Sequence, residues 1–138
     1  MRRRSCGSRR KNRKDYLGND VPAACYFKAV KWVYYNGIMS GTSSTLFSPS
    51  INVDLQMLAV ILKNYANLLG YYLGPIRSYS AFNDENQISS WAKGSIRLLY
   101  EAGIINPDSS NNINPTTALI RSQAAIIIRK FDVVNLYL

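Results

Sequence analysis

Apolar residues recur at helical spacing in four segments of this chain, and each segment has one apolar face. Tyr26, Ala29, Val30, Val33 and Tyr34 fall at i, i+3, i+4, i+7 and i+8. Leu58, Ile61, Leu62, Tyr65 and Leu68 or Leu69 form a second stripe. Ile88, Ala92, Ile96 and Leu99 form a third, with Trp91 beside them, and Ala124, Ile127, Ile128 and Phe131 a fourth. The pattern predicts four principal helices and an all-α fold. Between the stripes lie polar turns rich in Gly, Ser, Asn and Asp, residues that favour loops because they tolerate or stabilise turn conformations.

Two of those turns are versions of one another. NGIMSGTSSTLFSP, Asn36 to Pro49, reappears sixty-six residues later as AGIINPDSSNNINP, Ala102 to Pro115. Gly37 pairs with Gly103, and each glycine follows the last residue of a helical stripe, as a left-handed C-terminal cap requires. The chain therefore divides into a tail at 1–19, a first helix–loop–helix copy at 20–70, a linker at 71–81, a second copy at 82–131 and an extension at 132–138. Two helices cannot bury both their faces alone, so the copies are expected to pack on each other. The linker is aromatic and long for a mere connector, and its Tyr71-Tyr72 pair is expected to pack along the helices.

Charge changes the picture only at the N-terminus. Residues 1–14, MRRRSCGSRRKNRK, hold eight of the seventeen Lys and Arg and no acid. The remainder has nine basic residues against eight acidic ones and is nearly neutral. The tail has too few apolar residues to order itself, and its basicity offers a phosphate-neutralising surface. Candidate chemistry is sparse. There is no histidine, and the only cysteines are Cys6 and Cys25, without metal-ligand spacing. No phosphate-cradling glycine loop appears. These absences point away from an enzyme, a metal centre or a cofactor. No apolar run follows the basic start as a signal peptide requires, and none approaches the ~18 apolar residues of a membrane span.

The ordered motifs of both copies resemble the S-layer homology domain family over about 110 residues. The second copy, FNDENQISSWAKGSIRLLYEAGIINPDSSNNINPTTALIRSQAAIIIRKF, is similar to the family order of F-x-D, W-A, G-I-I, a polar loop, F-x-P and then T-R-A-E or T-R-A-Q. The first carries D-V-P, A-V-K-W, N-G-I-M-S-G-T and F-S-P. The resemblance implies repeats that usually occur in threes as a pseudo-threefold bundle, here incomplete. It implies non-covalent anchoring to a bacterial envelope through a secondary cell-wall polysaccharide, anionic and often bearing a pyruvate ketal. By the same resemblance the ligand-binding residues are Arg121, Trp91 and Asp84, with Gln123 in the T-R-A-Q position. It places the protein at the cell surface; because the chain holds no cargo domain and shows no signal, it is expected to be a fragment of a larger exported protein or a truncated gene product.

The chemistry of T-R-A-E follows from helix physics. The threonine caps the helix and the acid three residues on reaches back to it. An arginine at the first helical position opposes the helix dipole, yet makes the helix start a good anion site. The second copy has Ile120-Arg121-Ser122-Gln123, which keeps the arginine and the reaching-back residue but loses the capping hydroxyl. The first copy has Asp54-Leu55-Gln56-Met57, a good cap without the arginine. Cys25 stands where the second copy has Trp91. Asp84 is either a cap for the following helix or a ligand contact. Trp32, near Lys28 and Lys31, reads as half-buried packing or as a sugar-stacking residue. With only two copies, an open apolar flank predicts self-association or the need of a third repeat. Two alternatives stand beside wall anchoring: a protein-interaction scaffold that has lost sugar binding, and nucleic-acid binding through the basic tail, the less favoured partner.

Overall fold

The computed structural model describes residues 26–136 and builds four helices: α1 (Phe27–Tyr35), α2 (Leu55–Leu69), α3 (Lys93–Glu101) and α4 (Arg121–Leu136). A 3-10 turn, Glu85–Gln87, precedes α3. No strand occurs among the described residues, and one isolated antiparallel bridge pairs Asp54 with Ala118. The all-α class expected from periodicity is the one observed. The basic tail, Cys6 and Cys25 lie outside the described residues. The chain forms two compact units that divide between Ile51 and Asn52.

In the first unit, Val30 of α1 is buried with Phe47, and Val33 and Met39 pack against them. Tyr26, Ala29 and Tyr34 belong to the expected stripe but stay exposed. The turn returns only Met39 and Phe47 to this cluster, enough to cover two helical positions and no more. Trp32, expected either as half-buried packing or as a sugar-stacking residue, is 51% exposed and lies outside this cluster.

In the second unit, α2 packs on α3. Its buried line is Leu55, Leu58, Ala59, Leu62 and Ala66, facing a core that includes Ile88, Ala92, Ile96 and Leu99. Burying each large aliphatic contributes roughly 1.5–3 kcal/mol. This line is rotated from the expected one. Ile61 and Tyr65 are only half-buried, and Leu68 and Leu69 are exposed. The reason is that α2 serves two neighbours. Its alanines fit the buried α3 side, while the Tyr65 ring lies 6.3 Å from Phe131 of α4. On α4, Ala124, Ile127, Phe131 and Val134 turn inward, and Ile128 is exposed, against expectation. Ile128 follows Ala124 and Ile127 by four and one residues, which sets it on the shoulder of the buried line rather than in it.

The duplicated turn is duplicated in its backbone bonds. Gly37 N–H donates to Tyr34 O at 3.0 Å, and Gly103 N–H to Tyr100 O at 2.9 Å. Ile38 and Met39 both donate to Val33 O, at 2.9 and 3.2 Å, while Ile104 and Ile105 both donate to Leu99 O at the same two distances. Thr42 N–H reaches Leu46 O at 2.9 Å, and Asp108 N–H reaches Asn112 O at 2.8 Å. The left-handed residues also correspond: Gly37 (φ 68°) with Gly103 (φ 75°), and Ser48 (φ 58°) with Asn114 (φ 52°). Gly103→Ala is expected to cost about 1–2 kcal/mol, because a Cβ is strained in this region. The contact it makes, 2.6 Å from Ile76 Cδ1, is to an exposed flexible side chain that can move. Thermal melting should fall by about 4–8 °C per kcal/mol for a domain of this size. An unchanged melting curve would sink the cap assignment.

The segment between α2 and the 3-10 turn is tied down rather than slack. Leu73 is buried, and the Tyr71 ring lies 6.4 Å from Phe131, as packing along the helices predicts. Tyr72 does not follow that expectation and points to solvent. Tyr79, Phe82 and Tyr100 form an edge-to-face cluster with centroids 5.0–5.8 Å apart. Burial and a hydrogen bond to Glu85 push the Tyr79 hydroxyl up to about 12, so it stays protonated across the physiological range.

Candidate functional site

Two helices of the second unit start side by side. Leu119 N–H donates to Val53 O at 2.9 Å, Gln56 N–H donates to Pro115 O at 3.1 Å, and the Asp54–Ala118 bridge lies between. This short antiparallel pairing sets the first turn of α4 next to the first turn of α2. Gln56 strengthens the arrangement. Its side chain is buried, donates to Asp54 Oδ2 at 3.3 Å and accepts Ser89 N–H at 3.1 Å.

The two helix starts differ in one respect that matters chemically. At α2, Asp54 Oδ1 accepts Met57 N–H at 2.8 Å, so an acid already fills the capping position. At α4, Ile120 has no side-chain acceptor to offer. Gln123 Oε1 accepts Ile120 N–H at 3.1 Å, the reaching-back half of the capping box that the spacing predicts. Among the described residues no acceptor takes the backbone N–H groups of Arg121, Ser122 and Gln123, and the first turn holds no acid. Arg121 itself is exposed and makes no ion pair there. The start of α4 therefore combines open N–H donors, the positive end of a sixteen-residue helix and a guanidinium.

Asp84 is placed differently from either sequence expectation. It makes no side-chain capping bond to the 3-10 turn. Its carboxylate is 6% exposed and accepts Ile113 N–H at 3.1 and 3.2 Å and Asn114 N–H at 2.7 Å. It thereby holds the residues just before Pro115, and so the approach to the paired segment and α4. A second aspartate, Asp108, organises the same turn from outside. Amide bonds from Asn112 and Ser110 hold its carboxyl below the usual range.

Trp91 stands in the turn before α3 and is 56% exposed, so it is not a core residue. Among the described residues no hydrogen bond or ion pair joins Arg121, Trp91 and Asp84 to one another. Sequence reasoning missed Gln56 and Arg77. Arg77 Nε donates to Tyr100 O at 2.6 Å and Nη2 donates to Ile105 O. A lone arginine within the aromatic linker was the available signal. No group of three or more potential metal ligands occurs among the described residues, and no helix there is long and apolar enough to cross a membrane.

Two stretches, 19–54 and 81–125, match the model of the S-layer homology domain. The chain belongs to the S-layer homology domain family. The first matched stretch carries α1 and its turn, and the second runs from the linker's end into α4. Similar proteins include an exoglucanase, XynX, of Acetivibrio thermocellus, 31% identical over 103 residues, which are 75% of this chain and 9% of the enzyme. The surface-layer 125 kDa protein of Lysinibacillus sphaericus is 37% identical over 62 residues, 45% of this chain and 5% of that protein. An endoglucanase of Bacillus sp. (strain KSM-635) is 29% identical over 107 residues, 77% of this chain and 10% of the enzyme. The chain thus spans a tenth or less of these relatives. No solved structure matches it significantly. S-layer homology domains are non-catalytic modules that anchor proteins to the cell surface, and the enzymes above carry the matched region as a small added part.

Proposed function

We propose that this S-layer homology module anchors its protein by binding an anionic secondary cell-wall polysaccharide, such as a pyruvylated one, at the start of α4. The observation that carries the reading is the contrast between the two helix starts: Asp54 closes one, while Ile120 leaves the other open beside Arg121. A ketal carboxylate suits the open N–H groups and takes a charge-assisted bond from Arg121. Trp91 offers an exposed ring face for a sugar, and Gln123 keeps the turn's geometry. Asp84 acts indirectly, since its oxygens already serve Ile113 and Asn114.

Co-sedimentation with bacterial sacculi tests this, using sacculi intact and after acid stripping of the secondary polymer. Arg121→Ala should weaken pelleting with intact sacculi about tenfold to a hundredfold, the equivalent of ~1.5–3 kcal/mol for a hydrogen bond to a charged group. Deleting residues 1–14 should change little. Pelleting that persists on stripped sacculi, or that vanishes with the tail and with salt, would leave a charged tail on a scaffold and reject polymer anchoring.

A further inference from the structure

The sixty-six-residue offset that relates the two turns also relates the helices. Shifted by that offset, α1 (Phe27–Tyr35) falls on α3 (Lys93–Glu101) end for end, and α2 starts where α4 starts. The two copies are not finished alike. Val30, Val33, Met39 and Phe47 form the small cluster under α1. Their counterparts, Ile96, Leu99, Ile105 and Ile113, all lie in the large core of the second unit. The difference is α2, which packs on α3 and adds Leu58, Ala59, Leu62 and Ala66 to that core.

The α1 face shows what such cover would bury. Tyr34 is 39% exposed where its counterpart Tyr100 is 9% exposed. Tyr26 and Ala29 are exposed where Ala92 and Ser95 are buried. Helix α4 carries the other half of the same contact. Ala59, Leu62 and Ala66 share one side of α2, and their counterparts on α4 are Ala125, Ile128 and Asp132. All three are exposed, Ile128 at 50% against 6% for Leu62. Scattered exposed apolar residues are ordinary. These are exposed at positions whose counterparts form a core.

We infer that the two faces are halves of one interface, and that a second copy of this chain completes it: α1 of one copy packs on α4 of another, as α3 packs on α2. The chain already contains the working contact, and its two uncovered faces belong to the counterparts of that contact's two members. The two faces differ, so the interface is heterologous and each added copy brings both halves. Arg121 replaces Leu55 and Asp132 replaces Ala66, so charges mark the ends of the α4 face and its apolar middle is short. The contact is therefore weaker than that of α2 with α3, and association is reversible. The second copy borders the start of α4 without depending on what that start binds.

Sedimentation velocity of the full chain over a roughly hundredfold concentration range tests this, because an association rises with concentration by mass action. The average mass should climb above that of the monomer. Ala29→Glu and Ala125→Glu each put a carboxylate on one half of the interface. Both alanines are exposed, so neither change should lower the melting temperature. Each variant alone should stay monomeric. An equal mixture should form a heterodimer and nothing larger, since one intact α4 face and one intact α1 face remain. Wild type that stays monomeric would overturn the proposal and leave the faces to a third repeat. Association that survives in either variant would show that another surface, the basic tail included, holds the copies together, and the proposal falls. A mixture that stays monomeric rejects the pairing of α1 with α4 as well.

Discussion

Asp84→Ala is expected to destabilise the second unit by about 4 kcal/mol, the sum of lost charge-assisted bonds and two backbone N–H groups left without acceptors. The carboxylate is buried and is the acceptor for both Ile113 and Asn114. Alanine keeps none of this, and a small buried gap gives water poor access. The melting temperature of that unit should fall by well over ten degrees, at about 4–8 °C per kcal/mol. Asp84→Asn keeps the size and one acceptor oxygen but turns an NH₂ toward the amides, so its loss should be about half as large. Amide hydrogen exchange at Ile113 and Asn114 should accelerate in both variants before any global unfolding. Full protection of those amides in Asp84→Ala would show that the turn is held by something else.

That expectation shows where sequence reading stops. The F-x-D motif marked Asp84 as a residue of consequence, but its two possible roles, cap or ligand contact, were both local. Its actual partners lie about thirty positions away, and nothing in a helical period announces a carboxylate that reaches across to a turn. The duplicated turn was legible because its requirements are local. Gly37 and Gly103 need a left-handed backbone, and the same hydrogen bonds follow from the same residue spacing. The reaching-back bond of Gln123 and the cap at Asp54 were legible for the same reason.

The helix faces were legible only as far as one neighbour decides them. The third stripe was right in burial, since Ile88, Ala92, Ile96 and Leu99 all turn into one core, but not in helical extent: Ile88 is extended and α3 starts only at Lys93. The α2 stripe was read right at Leu58 and Leu62 and wrong at its edge, because large residues were counted as inward and alanines were not. Ala59 and Ala66 are buried against the core, while Tyr65 turns toward Phe131. For the site, residue types were visible and their geometry was not. The openness of the α4 start depends on the pairing of Val53 with Leu119 and on what Ile120 lacks, and only the first of these is a tertiary fact.

Arg77 provides the second large effect, and it is one the sequence hid. Helix α3 ends at Glu101, and its last carbonyls need donors once the helical ladder stops. Arg77 supplies several of them at once. Its Nε takes Tyr100 O, its Nη2 takes Ile105 O, and its guanidinium stacks 3.8 Å from the Tyr100 ring centroid. The backbone N–H groups of Ile76 and Arg77 both donate to Glu101 O, at 2.8 and 3.3 Å. A fixed cation at a helix C-terminus is also favoured by the dipole. Arg77→Met keeps much of the stem's packing but removes the side-chain donor from Ile105 O and leaves Tyr100 O with the Gly103 N–H alone, and should cost about 2 kcal/mol. Arg77→Lys retains the charge yet has neither the planar fork nor the flat stack, so it should recover less than half of the loss. Thermal melting of the three proteins decides the matter. A lysine variant as stable as wild type would mean that charge alone holds this segment, and the fork geometry would carry no part of the stability.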